Sequence, residues 1–85
     1  FALHAAYPNP FNPRTSVSFD LPVAAKVTLE IYDLSGRRVA VLINRPMFSG
    51  VHQVEWNAAS FASGIYLLRM EADQFQAVQK LVLMK

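Results

Sequence analysis

Apolar and polar residues alternate along most of this chain with the two-residue period of half-buried β-strands. The alternation is clearest in residues 16–21 and 27–32, where every second side chain is Val, Leu, Ile or Phe. Successive side chains of a strand point to opposite faces, so each segment is expected to bury one face. Further strands are predicted at residues 37–43, 51–56, 65–71 and 75–84, and residues 1–4 are a candidate seventh strand.

Turn-forming residues separate several of these segments. Residues 33–36, Asp-Leu-Ser-Gly, place an aspartate that can cap a turn before Gly36, which can adopt a positive φ. This combination predicts a type I turn that closes on a glycine bulge, and so a tight hairpin. A two-residue turn is predicted at residues 73–74, just before the last strand.

Two loops and one central aromatic residue complete the predicted fold. Residues 44–50 are expected to form the longest loop in the middle of the chain, and residues 57–63 a second irregular stretch anchored by Phe61. Trp56 is expected to be the central aromatic residue of the core. Residues 23–26 alone tolerate a helix, and they are too few to form one. The chain is therefore predicted to be an all-β protein, an immunoglobulin-like β-sandwich of six to seven antiparallel strands.

Three of the five prolines lie within residues 8–13, in a segment that also contains Tyr7 and Phe11. Proline fixes φ at about −65°, lacks a backbone donor and pushes the preceding residue into extended geometry. The segment can therefore be neither a helix nor a central strand. We predict a stiff proline-rich segment over residues 1–14, pinned by its aromatic side chains, and a β-sandwich over residues 15–85.

Composition narrows the classes of function. The chain has 85 residues, of which 53% are hydrophobic and 16% charged, as in one small globular domain. Because it begins with Phe1, it is expected to be a segment of a longer protein. It contains no cysteine, which excludes thiol catalysis and cysteine-bound zinc. The net charge of +2 is small and dispersed, so nucleic-acid binding is not expected. No apolar run approaches the ~20 residues of a membrane span, so membrane insertion is not expected either.

The titratable residues do not form the pattern of a catalytic or metal site. His4 and His52 lie far apart in the sequence, and His52 alternates with apolar residues as a half-buried histidine does. The carboxylates are spread over separate strands and turns, and glycines are too few for a phosphate-binding loop. We therefore expect a protein that is not an enzyme and has no cofactor.

Five segments occur in an order that resembles a known family. They are the proline segment, VTLEIYDLSGRRVAVL, GVHQVEWNA, SGIYLLRM and QKLVLMK. This order is similar to that of the type A C-terminal sorting domain of the type IX (Por) secretion system of Bacteroidetes. It is also similar to the immunoglobulin-like domain of flagellar hook-capping proteins. The resemblance covers nearly the whole chain, and it departs at Ala58 and at residues 73–74, where the family is richer in glycine.

The resemblance implies a non-catalytic appendage of a larger secreted protein. Such a domain crosses the periplasm with the cargo domain that precedes it, and an outer-membrane secretion translocon recognises it there. A surface sortase then removes it, and the cargo remains on the cell surface or is secreted. The implied partners are the translocon, the sortase and the upstream cargo domain.

Recognition residues are predicted from the resemblance and from the position of the last strand. The resemblance implies Pro8, Asn9, Pro10, Gly36, Gly64, Tyr66, Lys80 and Lys85, and the last strand adds Leu81, Val82, Leu83 and Met84. Most of them also have a structural interpretation. The glycines suit backbone positions with positive φ, Tyr66 suits a core or rim position, and Lys80 suits an edge strand that must not aggregate. The Pro-Asn-Pro run suits a stiff junction with the upstream domain.

The last strand is the predicted point of recognition. Residues 78–84 are apolar on both faces, and an edge position would leave their backbone groups free to pair with a receptor strand. This hypothesis requires the true end of the protein to lie at or near Lys85, which is expected to be exposed. Two other functions stay open: a structural or spacer sandwich, and a carbohydrate-binding module. The aromatic residues available for a sugar platform are Tyr7, Phe11, Tyr32, Phe48 and Phe61.

Overall fold

The computed structural model describes residues 1–85, which form seven β-strands and no helix. The strands are β1 (Ala2–Leu3), β2 (Arg14–Leu21), β3 (Ala25–Asp33), β4 (Arg38–Met47), β5 (Gly50–Asn57), β6 (Gly64–Ala72) and β7 (Phe75–Leu83). They pair in two antiparallel sheets, one in the order β1-β2-β5 and the other in the order β4-β3-β6-β7. The predicted all-β, immunoglobulin-like β-sandwich is confirmed. No part of the chain is a helix capable of spanning a membrane.

The core lies between the two sheets and follows the alternation of the sequence. Val17 and Phe19 of β2, and Leu29 of β3, are completely buried, while the residues between them face outward. Trp56 is only 4% exposed, which confirms its predicted central position. Every buried side-chain nitrogen or oxygen has a hydrogen-bond partner, as expected for a well-formed interior.

The prediction of a long loop at residues 44–50 is wrong. Strand β4 continues to Met47 and β5 begins at Gly50, so only residues 48–49 connect them. The extended pairing is compatible with Pro46 because β4 is an edge strand, and the missing N–H faces away from β3. Two register shifts between β3 and β4 allow Ile43 to turn inward, where it is 3% exposed. A proline in a sequence therefore ends a central strand but not an edge strand.

The β3–β4 hairpin has the predicted turn. Gly36 has a φ of +89°, and its N–H donates to the Asp33 carbonyl over 3.1 Å. The Asp33 carboxylate accepts from the Ser35 hydroxyl at 2.6 Å and from the backbone N–H groups of Ser35 and Arg37 at 2.9 and 3.0 Å. The Ser35 hydroxyl and then the Arg37 N–H hold the pKa of Asp33 below its ordinary value.

This turn predicts a stability that depends on pH in the acid range. Because the pKa of Asp33 is lower in the folded protein, its contribution is complete above the unfolded pKa and is lost as the pH falls through the folded pKa. We expect Asp33→Asn to flatten that part of the pH dependence of the unfolding free energy. Urea titrations between roughly pH 2 and 5 measure this. Parallel curves for the two proteins would contradict the prediction.

The turn at residues 73–74 contains a strained residue. Asp73 has a φ of +53° and is the only residue other than glycine with a positive φ. Gln74, the other residue of the turn, does not have a positive φ. We expect Asp73→Gly to raise the unfolding free energy by about 0.5–1 kcal/mol, because glycine adopts this conformation without a steric penalty. Gln74→Gly is the matched control and should lower it by a similar amount. Thermal unfolding that ranks the two variants in the opposite order would refute this.

The sandwich has two different sides. On one side β1 and the chain after it lie beside β7, and the Phe1 ring stacks on Phe75 with their centroids 5.8 Å apart. On the other side lie β4 and β5, which are joined by two residues only. We call these the β7 side and the β5 side.

The sandwich also has two different ends. The register places Asp33 opposite Tyr66, and Tyr66 opposite Leu81, so the β3–β4 turn and the end of β7 lie at the same end. The start of β2 follows the prolines and pairs with the end of β5 at this end also. We call it the proline end, and it contains residues 7–13, 33–37, 58–64 and 84–85.

Candidate recognition site

The proline segment and the last strand, predicted separately, lie in direct contact. The Asn9 side-chain amide donates to the Lys80 carbonyl at 2.9 Å, and its oxygen accepts from the Val82 N–H at 2.9 Å. One asparagine side chain thus satisfies two backbone groups of β7, as a neighbouring strand would. The stiff backbone around Asn9, which lies between Pro8 and Pro10, holds the amide in place.

Phe11 continues this pairing as a parallel bridge. Its N–H donates to the Val82 carbonyl at 2.9 Å, and its carbonyl accepts from the Met84 N–H at 3.0 Å. The outward backbone groups of the last part of β7 are therefore occupied. Strand β7 lies at a sheet edge, as the predicted mechanism requires, but the prediction that its final residues pair with a receptor strand is wrong for this folded state.

An aromatic cluster fixes the proline end. Phe11 is 2% exposed and packs on Trp56 with ring centroids 5.6 Å apart, and Trp56 packs in turn on Phe61 and Tyr66 at 5.3 and 5.5 Å. The Tyr66 hydroxyl donates to the Ala62 carbonyl at 2.6 Å. The inward position predicted for Phe61 is confirmed, and Tyr66 occupies a core position with its hydroxyl satisfied.

The end of the chain is bound to the β5–β6 loop. The Lys85 N–H donates to the Ser63 hydroxyl oxygen at 3.1 Å, and its ammonium donates to the Ala59 carbonyl at 2.6 Å. Lys85 is exposed, as predicted, but its charged group is held on this loop. Gly64 begins β6 beside this contact and has a φ of +155°, with open space around the position of a Cβ atom.

The predicted recognition residues divide into buried and exposed groups. Leu81 and Leu83 are core residues at 0% and 1% exposure, whereas Met84 is 59% exposed and Lys80 is exposed. Val82 is half-buried on the outer face of the four-stranded sheet. Only part of the last strand can therefore touch another molecule while the domain stays folded.

Gly36 lies at the proline end but away from the last strand. It belongs to the β3–β4 hairpin, and β6 lies between that hairpin and β7. It lines a shallow depression of about 350 Å³ on the outer face of the four-stranded sheet, together with Tyr32, Leu67, Arg69 and Val78. The structure therefore brings Gly36 to the same end as the other predicted residues without direct contact.

Charged groups near this end differ in how well they are paired. Arg38 donates to Glu30 at 2.9 Å, and Glu30 also accepts from the Tyr32 hydroxyl at 2.9 Å, which raises the pKa of Tyr32 above its ordinary value. The ammonium group of Lys80 makes neither an ion pair nor a hydrogen bond. Lys80 therefore presents an unpaired positive charge on the outer face.

The geometry supports neither a metal site nor an aromatic platform for a sugar. No three His, Cys, Asp or Glu side chains come together in a way that could hold a metal ion. Of the aromatic residues considered for a sugar platform, Phe11 is buried, while Tyr7 and Phe48 are 81% and 86% exposed. Tyr7 lies at the proline end and Phe48 in the β4–β5 turn at the opposite end, so they do not form one platform.

Gln79 makes a contact that the sequence interpretation missed. Its side chain accepts from the Ala6 N–H at 2.9 Å and donates to the His4 carbonyl at 2.8 Å. It therefore joins the N-terminal segment to β7 at a position just before the β7 residues that Asn9 contacts. The alternation of the sequence could have indicated this contact. Gln79 lies with Leu81 and Leu83 on the inward side of the strand, and a polar side chain needs a hydrogen-bond partner there.

The contact between Asn9 and β7 predicts a measurable loss of stability. We expect Asn9→Ala to lower the unfolding free energy by about 1–2 kcal/mol, since two hydrogen bonds to backbone groups are lost. Asn12→Ala is the matched control, because Asn12 also precedes a proline but its side chain makes no hydrogen bond. Equal melting temperatures for the two variants would show that the Asn9 contact contributes nothing.

Comparison with known proteins is consistent with this arrangement. No curated protein matches the chain. The family described as "Secretion system C-terminal sorting domain" matches residues 5–84, which include the proline segment and all of β7. The match covers nearly the whole chain and includes both parts of the contact described above. The chain therefore belongs to the family of type IX secretion C-terminal sorting domains, which direct the larger cargo proteins that carry them to the cell surface or out of the cell.

Proposed function

We propose that an outer-membrane translocon recognises this domain in its folded form, after the cargo protein has reached the periplasm. The observation that supports a folded signal is the contact of Asn9 with Lys80 and Val82. It joins the two ends of the family match into one surface, so neither segment alone has the shape of the signal. A folded signal also loses little conformational entropy when it binds.

The groups available for this recognition are the exposed members of the predicted set. Pro8, Asn9 and Pro10 are exposed along the outside of β7, next to Lys80 and Met84. The unpaired ammonium of Lys80 supplies a charge that an acidic group of the translocon would neutralise. Of the remaining predicted residues, Tyr66, Leu81 and Leu83 lie in the core beneath this surface and Val82 lies half-buried within it. Gly36, Gly64 and Lys85 are exposed at the proline end beside it.

The test is export of a fluorescent cargo in a bacterium with a type IX system. The cargo carries a signal peptide and residues 1–85, and its surface and periplasmic fractions are compared. We expect the wild-type fusion to reach the surface and Lys80→Glu to leave most of the cargo in the periplasm. Lys26→Glu is the matched control, since Lys26 is also exposed and unpaired but lies toward the opposite end of the sheet. Retention of the wild-type fusion would refute the proposed function.

Removal of residues 81–85 is a weaker test of the same idea. It deletes Leu81 and Leu83, two core residues, and therefore unfolds the domain as well as removing its end. Failure of this truncated domain to be exported would not separate recognition from folding. The Lys80 substitution avoids this, because an exposed side chain without partners contributes little to stability.

We further propose that a surface sortase removes the domain after export. The cleavage site is proposed to lie near or before the proline segment. Within that segment Asn9 and Phe11 are bonded to β7 and Tyr7 to Ser16 of β2, so the segment cannot extend into a protease cleft without breaking those bonds. Mass spectrometry of the exported cargo measures its C-terminus. Cargo that retains residues 1–85 at the surface would refute this step.

A further inference from the structure

Two of the four sheet edges are short or covered. Unpaired edge strands invite pairing with other chains, so folded proteins usually protect them. Strand β1 is only two residues long. The N-terminal segment runs along strand β7 and contacts it at three places, through the stacking of Phe1 on Phe75, the side-chain bonds of Gln79, and the bonds of residues 9–11 to its last residues.

A third edge is protected by its sequence. Strand β4 contains Pro46, which has no N–H to offer to a new partner. Its pairing with β3 shifts register after Leu29 and again after Ile31, so its edge is irregular. Arg38 and Arg45 add exposed charge to the same strand.

Strand β5 has none of these protections. It contains eight residues with no proline, lysine or arginine, and it pairs with β2 without a register shift from Gly50 to Asn57. No other strand lies beyond it in its sheet. It is therefore the one long, regular and unprotected edge of the domain.

The register shows which groups face this free edge. Ser16 and Ser18 of β2 bond to Tyr7 and His4, so their backbone groups point away from β5. The residues between them, including Val17, must then bond to β5, where Val17 is opposite Val54. By alternation, the N–H and C=O groups of Val51, Gln53 and Glu55 point outward and have no backbone partner.

The β5 side also offers contacts for side chains. His52 and Val54 point toward the core but stay half-buried, because no strand beyond β5 covers them. Arg45 of the neighbouring strand β4 is exposed and has no ion pair. A strand added to β5 would cover the two half-buried side chains, and a carboxylate on it would pair with Arg45.

We propose that the free edge of β5 is a strand-addition site for the protein that recognises this domain, an inference that rests on the proposed function. The partner is an extended segment that alternates apolar and polar residues and carries a carboxylate near Arg45. Its backbone bonds to Val51, Gln53 and Glu55. A second copy of this chain is the competing occupant, and sedimentation of the purified domain distinguishes it from the segment proposed here.

Two substitutions test the proposal in the export assay. Gln53→Pro removes an outward N–H that makes no bond within the domain, and an edge strand tolerates such a proline. We expect it to reduce export at least about tenfold, since both the donor and the close approach of a partner are lost. Gln53→Ala, which keeps the N–H, should be exported like the wild type. Thermal unfolding of each purified domain establishes that it is folded.

The second substitution does not touch the β5 backbone. Arg45→Glu reverses the unpaired charge beside the edge, and we expect a similar loss of export, with Lys26→Glu as the charge-matched control. Normal export of folded Gln53→Pro or of Arg45→Glu would overturn the proposal. So would a dimer of the purified domain, seen by sedimentation, that Gln53→Pro dissociates, because the occupant would then be a second copy. Retention of the wild-type fusion would refute the proposed function itself, and this inference with it.

Discussion

Replacing Phe11 by alanine is expected to destabilise the domain by about 3–5 kcal/mol. The Phe11 ring is 2% exposed and packs on Trp56, so its removal leaves a cavity beside Trp56 in the aromatic cluster. The backbone of Phe11 is also bonded to Val82 and Met84, and we expect loss of the buried ring to weaken this pairing as well. Because a small protein is stable by only about 5–15 kcal/mol, the loss is a large part of the total.

Tyr7→Ala is the control for this prediction. Tyr7 belongs to the same segment and also pairs through its backbone, with Ser16, but its side chain is 81% exposed. We expect Tyr7→Ala to change the unfolding free energy by less than about 0.5 kcal/mol. Urea unfolding followed by Trp56 fluorescence compares the two variants. If both lose the same stability, the segment is held by its backbone alone and the proposed anchoring by Phe11 is incorrect.

The strands of this domain were predictable because one face of each is buried and the other is not. The period of two in β2 and β3 identified both strands and their inward residues. The Asp33 to Gly36 turn was predictable for a local reason, since the residues that stabilise it lie within five positions. The end of β4 was not predictable, because whether Pro46 ends a strand depends on the position of that strand in the sheet.

The site was only partly predictable for the same reason. Sequence similarity identified Asn9 and Lys80 as members of one recognition set, but not that they touch. Their contact joins residues 71 positions apart, and no local pattern contains such a distance. Because that contact occupies the edge of β7, the strand-addition site is proposed on β5 and not on the last strand, where the sequence predicted it.

Substitutions of Leu81 and Met84 should separate the folding role of the last strand from its exposed surface. Leu81 is completely buried between the sheets, and Leu81→Ala is expected to cost about 2–5 kcal/mol. For a domain of this size that corresponds to a fall in melting temperature of roughly 10 °C or more. Met84 is 59% exposed, and Met84→Ala should leave the melting temperature unchanged within a few degrees.

Export of the two variants then shows what the translocon reads. If it recognises the folded surface that contains Asn9, Lys80 and Met84, Met84→Ala lowers export although the domain is as stable as the wild type. Leu81→Ala lowers export only at temperatures where the domain unfolds, and cooling restores it. If instead the last residues are read as an extended peptide, Leu81→Ala is defective at every temperature, including those at which it is folded. That result would refute a folded signal, because at low temperature the buried Leu81 side chain cannot reach a receptor.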